Sequence, residues 1–165
     1  MRLALTLWLA LAPLGLAQGL TAAQVVQWIQ GCDTRLYLHT PGMRSREVAE
    51  ALHRQLTKNG VPLLVASPKE GLFSTDGIGL MGLGWAGARL FRVITPERRG
   101  VLLCEGRFGL VGSLVDRPQS PLPAPPTRLL QEPGEVRKLT LWFRRLLGGA
   151  LEVDPRATWR LMIRR

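Results

Sequence analysis

A helix that stops at a glycine and passes the chain straight into an almost unbroken apolar run narrows the available folds more than any other feature. The run is Val61-Pro62-Leu63-Leu64-Val65-Ala66. A strand that is apolar on both sides is usually buried on both sides, as in a parallel sheet covered by helices. Ahead of it, Ser45 is a good helix N-cap, with Glu47 in the first turn. Val48, Ala51, Leu52 and Leu56 then fall at helical spacing, and Asn59-Gly60 marks the stop. Earlier still, Arg35-Leu36-Tyr37-Leu38-His39 reads as a short strand ended by Thr40-Pro41-Gly42. Strand, helix and strand form a βαβ unit with a right-handed crossover. The fold class expected is α/β.

The flanking elements extend this unit. Thr21 can cap a helix running to about Gln30, with Val25, Val26, Trp28 and Ile29 as its apolar residues and Gly31 as its end. Residues 67–87 are rich in glycine and predict a loop with a short helix over about 78–85. They contain no Gly-Lys-Ser/Thr and no Gly-x-Gly-x-x-Gly opening a helix after a strand, which rejects a nucleotide-binding loop. Residues 88–94 predict a third, half-exposed strand mixing apolar residues with Arg89 and Arg92. After Thr95-Pro96-Glu97, residues 101–104 and 107–111 predict a hairpin turning at Glu105-Gly106. Parallel crossover and antiparallel hairpin together predict a mixed β-sheet flanked by helices.

Both ends of the chain have a different character. Met1-Arg2, an apolar stretch from Leu3 to Leu16, and small residues at Gly15 and Ala17 have the three-part layout of a secretory signal peptide, cut after Ala17. The apolar stretch is short for a membrane span of about 20 residues; the other reading is an uncleaved anchor. The expected division is a signal peptide (1–17), an α/β domain (18–116), a Pro-rich linker (117–132) and a C-terminal segment (133–165) that packs on the domain. That segment holds an amphipathic helix over 135–147, with Val136, Leu139, Trp142, Phe143, Leu146 and Leu147 on its apolar side, and a short strand over 158–163. Docking is the reading adopted for the helix; partner binding and contact with an anionic surface are the others.

The formal net charge of the 165 residues is +10, and lysine occurs only at Lys58, Lys69 and Lys138. From Arg117 onward there are ten basic and four acidic residues, so the tail carries most of the excess. Arginine favours bidentate contact with phosphate and carboxylate, which suits polyanions such as nucleic acid or anionic lipid. Arg in place of Lys throughout a GC-rich genome accounts for the same composition. The two cysteines, Cys32 and Cys104, fit either a disulfide in an exported protein or two buried thiols. With no Cys-x-x-Cys and only His39 and His53, no metal site or cofactor is expected.

In its order of elements the sequence resembles the phospholipase D-like family. The matching phrases are Ala49-Glu50-Ala51-Leu52 with Asn59-Gly60-Val61-Pro62-Leu63-Leu64, then Trp85-Ala86-Gly87-Ala88-Arg89-Leu90-Phe91-Arg92-Val93, then residues 98–115. The resemblance implies a single half-domain of that family. Members carry His-x-Lys-x4-Asp, a glycine turn and a Gly-Ser ending followed two residues on by Asn. The nucleophilic histidine forms a phospho-histidine, a second histidine from a paired motif protonates the leaving group, and the lysines hold phosphate. Here Arg98 stands for the histidine, Gly100 for the lysine and Glu105 for the aspartate; Gly112-Ser113 remains, and Val115 stands for the Asn. A guanidinium that stays protonated offers no lone pair for attack.

The expectation is therefore an exported phospholipase D-like protein, catalytically inactive, that binds a phosphate-bearing polyanion through Arg98, Arg99, Arg107, Ser113 and His39. Two alternatives stand beside it. One is a structural or assembly protein of the cell envelope, acting through homodimerisation or a partner. The other is a phosphodiesterase using non-family residues, His39 foremost.

Overall fold

A computed structural model of the chain describes residues 19–73, 79–114 and 126–158. The expected signal peptide and residues 117–125 of the expected linker lie outside the described residues. Thr21 opens α1 (Ala22–Gln30) with a capping box, its hydroxyl accepting from the Gln24 amide while the Gln24 side chain accepts from the Thr21 amide. There follow β1 (Leu36–His39), α2 (Arg46–Thr57), capped by the Ser45 hydroxyl, and β2 (Leu63–Ser67). The glycine-rich stretch holds two short helices, α3 (Lys69–Leu72) and α4 (Leu80–Trp85). Next come β3 (Arg89–Arg92), the hairpin β4 (Gly100–Cys104) and β5 (Phe108–Gly112), β6 (Arg128–Leu130), α5 (Pro133–Gly148) and β7 (Leu151–Val153).

The strands form one mixed sheet in the order β6-β5-β4-β1-β2-β3-β7. β1, β2 and β3 are parallel, and every other pairing is antiparallel. The sheet has two covered faces. Leu36, Leu38, Leu63, Val65, Leu90, Leu102 and Leu110 pack with Val25 and Ile29 of α1, Val48 and Leu52 of α2, and Leu80 and Leu83 of α4. On the other face, Tyr37, Val101 and Leu103 pack with Val136 and Phe143 of α5, and Phe91 and Val93 with its Leu146 and Leu147. The C-terminal helix is thus docked along its apolar stripe.

α1 and α2 are also joined by a buried polar side chain. Gln55 donates to the carbonyls of Ile29 (2.6 Å), Gln30 (3.1 Å) and Cys32 (2.8 Å), satisfying acceptors at the open C-terminal end of α1. The Cys32–Cys104 disulfide then ties the segment after α1 to the end of β4, with the Cα atoms 5.9 Å apart.

Three local expectations are corrected. β3 is covered on both faces rather than half-exposed: Leu90 and Phe91 are both buried, and only the terminal Arg89 and Arg92 are exposed. The hairpin loop has three residues, because Cys104 pairs with Phe108. The Arg107 amide donates to the Cys104 carbonyl (3.0 Å), and Gly106 takes φ +76°, the value a type II turn requires at its third position. A strand, β6, occupies residues 128–130 of the expected linker. A further strand, β7, forms at Leu151–Val153, where Glu152 meets Arg89 across the sheet; the strand expected at 158–163 lies, past Thr158, outside the described residues.

Candidate functional site

Three parallel strands give the sheet one carboxyl end, marked by His39, Ser67 and Arg92. Ligand sites of open α/β sheets gather at that end. Antiparallel pairing brings the start of β4 and the end of β5 there too, since His39 is paired with Val101 and Gly100 with Gly112. Arg98, Arg99, Ser113 and His39 therefore share one end of the molecule.

Arg107 does not belong with them. It sits beyond Cys104, at the far end of β4, and a strand of five residues at about 3.3 Å per residue puts about 13 Å between its first and last residues. Its guanidinium pairs with Asp33 at 2.6 Å, which holds the Asp33 carboxyl below its ordinary range. Arg107 lines a different groove, of about 460 Å³, between the hairpin turn and α5. Glu105, at the family's aspartate position, is also at that far end, accepting from the Tyr37 hydroxyl (3.2 Å) and lying 3.8 Å from Arg35.

Arg99 is at the right end but is already neutralised. Its guanidinium makes a two-pronged contact with Glu97 at 2.9 and 2.8 Å, and its amide donates to the same carboxylate. Those hydrogen bonds, chiefly the side-chain ones, pull the Glu97 carboxyl down to about 2 against a smaller opposing effect of burial.

His39 is fully buried. Its Nδ1 lies 3.1 Å from the Arg99 carbonyl, which can only accept, so Nδ1 carries the proton and Nε2 the lone pair in the neutral ring. Among the described residues Nε2 has no hydrogen-bond partner. The Trp142 ring of α5 lies 5.6 Å away at an edge-to-face angle of 89°. Burial pushes the His39 pKa down, with the Arg99 carbonyl and the Glu97 charge opposing. A histidine enclosed in this way cannot touch a substrate while α5 is docked.

The family's lysine position is also filled. Gly100 is buried at the start of β4, on the face shared with Leu102 and Cys104. A Cβ there would stand 2.7 Å from Leu114 Cγ and 2.8 Å from its Cδ1. Leu114 is itself buried, with φ +46°, which a leucine rarely adopts.

What remains open is a cleft of about 400 Å³ whose polar lining is Lys69, Glu70, Arg92, Thr95 and Arg98. Lys69, Arg92 and Arg98 are exposed, and among the described residues none of the three is in an ion pair. Sequence reasoning found Arg98 and missed Lys69 and Arg92. The signal was present: each lies at or just past the carboxyl end of a parallel strand, β3 for Arg92 and β2 for Lys69. Next to this cleft Ile94 is fully exposed. Among the described residues no cluster of three metal-ligating side chains occurs.

No protein-family model matches the sequence, and comparison with curated proteins gives no match. Solved structures do match the fold. Nuc of Salmonella typhimurium, a phospholipase D family member, is 13% identical with a TM-score of 0.67, over 82% of this chain and 92% of Nuc. NucT of Helicobacter pylori is 10% identical with a TM-score of 0.63, over 79% and 89% of the two chains. TrmBL2, an archaeal chromatin protein whose structure shows a novel mode of DNA binding, is 11% identical with a TM-score of 0.54, over 80% of this chain and 51% of TrmBL2. The fold is phospholipase D-like.

Proposed function

We propose that this phospholipase D-like chain is an exported protein that binds a phosphate-bearing polyanion, nucleic acid or anionic lipid, without hydrolysing it. The observation that carries the reading is the contrast between a filled site and an open one. Leu114 occupies the space of the family's lysine and Trp142 encloses His39, while Lys69, Arg92 and Arg98 line a cleft beside them. Cations at a strand-end cleft can hold phosphate oxygens. A phosphoryl transfer through a covalent intermediate needs in addition a nucleophile with an accessible lone pair. Arg98 lacks the lone pair, and His39 lacks the access. The Cys32–Cys104 disulfide suits an oxidising compartment outside the cytosol. Likeness to a chromatin protein with a DNA-binding mode supports nucleic acid among the two ligands.

The test is equilibrium binding to labelled nucleic acid and to anionic vesicles over a range of salt, with a phosphodiester turnover assay alongside. Binding is expected at low ionic strength, weakened by combined Arg92→Gln and Arg98→Gln, with no turnover. Failure to bind either polyanion at low salt removes the reading, because phosphate contacts are strongest there. Turnover abolished by His39→Ala removes the non-hydrolytic part.

A further inference from the structure

We infer that the outward face of α5 is a second binding surface, shaped for the phosphate backbone of duplex nucleic acid. The inference rests on the proposed function for the class of ligand, and adds both the surface and the duplex. After Glu135 the helix carries Arg137, Lys138, Arg144 and Arg145 and no acidic residue. All four are exposed, and among the described residues none is in an ion pair. Elsewhere Arg35, Arg46, Arg89, Arg99 and Arg107 each face a carboxylate, whereas Arg92 and Arg98 of the cleft, like the four cations of α5, do not among the described residues. Among the described residues the nearest carboxylate in the groove of the α5 cations is that of Glu105, across from Arg137 and Arg144.

Its placement is regular. Residues seven apart on an α-helix are separated by about 20° around the axis and about 10 Å along it. Arg137 with Arg144 and Lys138 with Arg145 therefore form two rows, about 100° apart. Leu141, 44% exposed, lies between the rows. The result is a roughly square array of cations on a helix about 10–12 Å across, against a major groove about 12 Å wide with phosphates along both rims. Each row faces one rim. The face holds no Asn, Gln, Asp or Glu, so the base edges open to it are those of guanine, which Arg and Lys can reach, and its four cations are spaced for the phosphates on the rims.

A lipid surface fits less well. A helix that lies on a membrane turns its apolar side to the acyl chains. The apolar side of α5, from Val136 to Leu147, is already packed on the sheet. Leu141 alone remains to insert.

The experiment is fluorescence anisotropy of the full chain with a labelled duplex DNA across a salt series. The combined Arg137→Gln, Lys138→Gln, Arg144→Gln and Arg145→Gln variant is expected to bind more than about tenfold more weakly. Its slope of log K against log salt should lose about 3.6, from about 0.9 per phosphate contact. The combined Arg137→Lys, Arg144→Lys and Arg145→Lys variant should keep the slope, since the charge is retained. All the changed side chains are solvent-facing, so unaltered thermal melting is expected to accompany these effects. Unchanged affinity and slope in the Gln variant overturn the inference, and if combined Arg92→Gln and Arg98→Gln then abolishes binding, the cleft reading survives alone. A wild-type chain that binds no duplex at low salt overturns it whatever else binds. Vesicles of mixed zwitterionic and anionic phospholipid, held through the same four cations in that case, would leave the polyanion reading standing with lipid as the ligand.

Discussion

Leu114 stands where a side chain at position 100 would have to go. The Cβ of any residue replacing Gly100 would lie 2.7 Å from Leu114 Cγ and 3.1 Å from the Gly112 carbonyl oxygen. The glycine and the left-handed leucine are two halves of one local solution. Gly100 leaves a hole at the start of β4, and Leu114 turns back through φ +46° to fill it. A left-handed backbone costs a leucine about 1–2 kcal/mol, a cost offset by burying its side chain among the residues of the α1/α2 face. The missing side chain at position 100 and the packing of the strand end by Leu114 are therefore one local arrangement.

The pair should be coupled. Gly100→Ala is expected to destabilise by about 1–3 kcal/mol through overpacking, and Leu114→Ala by about 2–5 kcal/mol through lost burial. Together they should cost less than the sum, because the shortened side chain leaves room for the new methyl. Urea denaturation of the four members of the cycle measures this, and strict additivity refutes the contact.

Reduction of the Cys32–Cys104 bridge should be costly because it closes a long loop. With a sequence separation of 72, the chain-entropy estimate is about 4 kcal/mol at 25 °C. The Cys32→Ala, Cys104→Ala variant should show that loss with or without reductant, whereas the wild type shows it only with reductant. A denaturation midpoint insensitive to reductant would sink the prediction.

The parts of this fold that were legible in the sequence have local physical signatures. Thr21 and Ser45 declare their helices through hydroxyl caps, Asn59-Gly60 lies just past the end of α2 at Thr57, and the apolar run to Ala66 announces a strand buried on both faces. β6 and β7 were not legible. Arg128-Leu129-Leu130 and Leu151-Glu152-Val153 are too short for alternation to register, and each exists because an edge strand, β5 or β3, offers it a partner. The expected site residues are divided for a related reason. Arg99 and Arg107 looked like neighbours of Arg98, but a strand length removes one and Glu97 neutralises the other. Lys69 and Arg92 join Arg98 only because the crossover returns β2 and β3 to the same end.

Acid should weaken the Glu97–Arg99 clamp over a defined window. The folded carboxyl titrates at about 2, below the ordinary glutamate value of about 4.3. As pH falls, the unfolded chain takes up this proton first. The contribution is thus fully present above the unfolded value and is lost as pH falls through the folded one. Half-exposure of Arg99 limits it to about 1 kcal/mol, the upper end for exposed pairs. Glu97→Gln should remove that increment at neutral pH and flatten the stability profile between about pH 4.3 and 2. An unchanged profile counts against the clamp.

His39 should couple the docking of α5 to pH in the range just below neutrality. Burial lowers its folded pKa beneath the ordinary histidine value of about 6.5, so the unfolded chain binds the proton more readily. Stability is therefore lost as pH falls below about 6.5, down to the folded pKa, and regained on return. Trp142→Ala removes the ring that lies edge-on to the imidazole. It is expected to cost about 3 kcal/mol at neutral pH, the low end for a large aromatic truncation, since Trp142 is half-buried. More tellingly, it should raise the His39 pKa toward the ordinary value by admitting water, and so flatten the pH dependence. An NMR titration of the imidazole Cε1 proton, with His53→Gln to remove the other histidine signal, reads both effects. A wild-type His39 that titrates at the ordinary value, or one unmoved by Trp142→Ala, would show that α5 does not seal this end of the sheet.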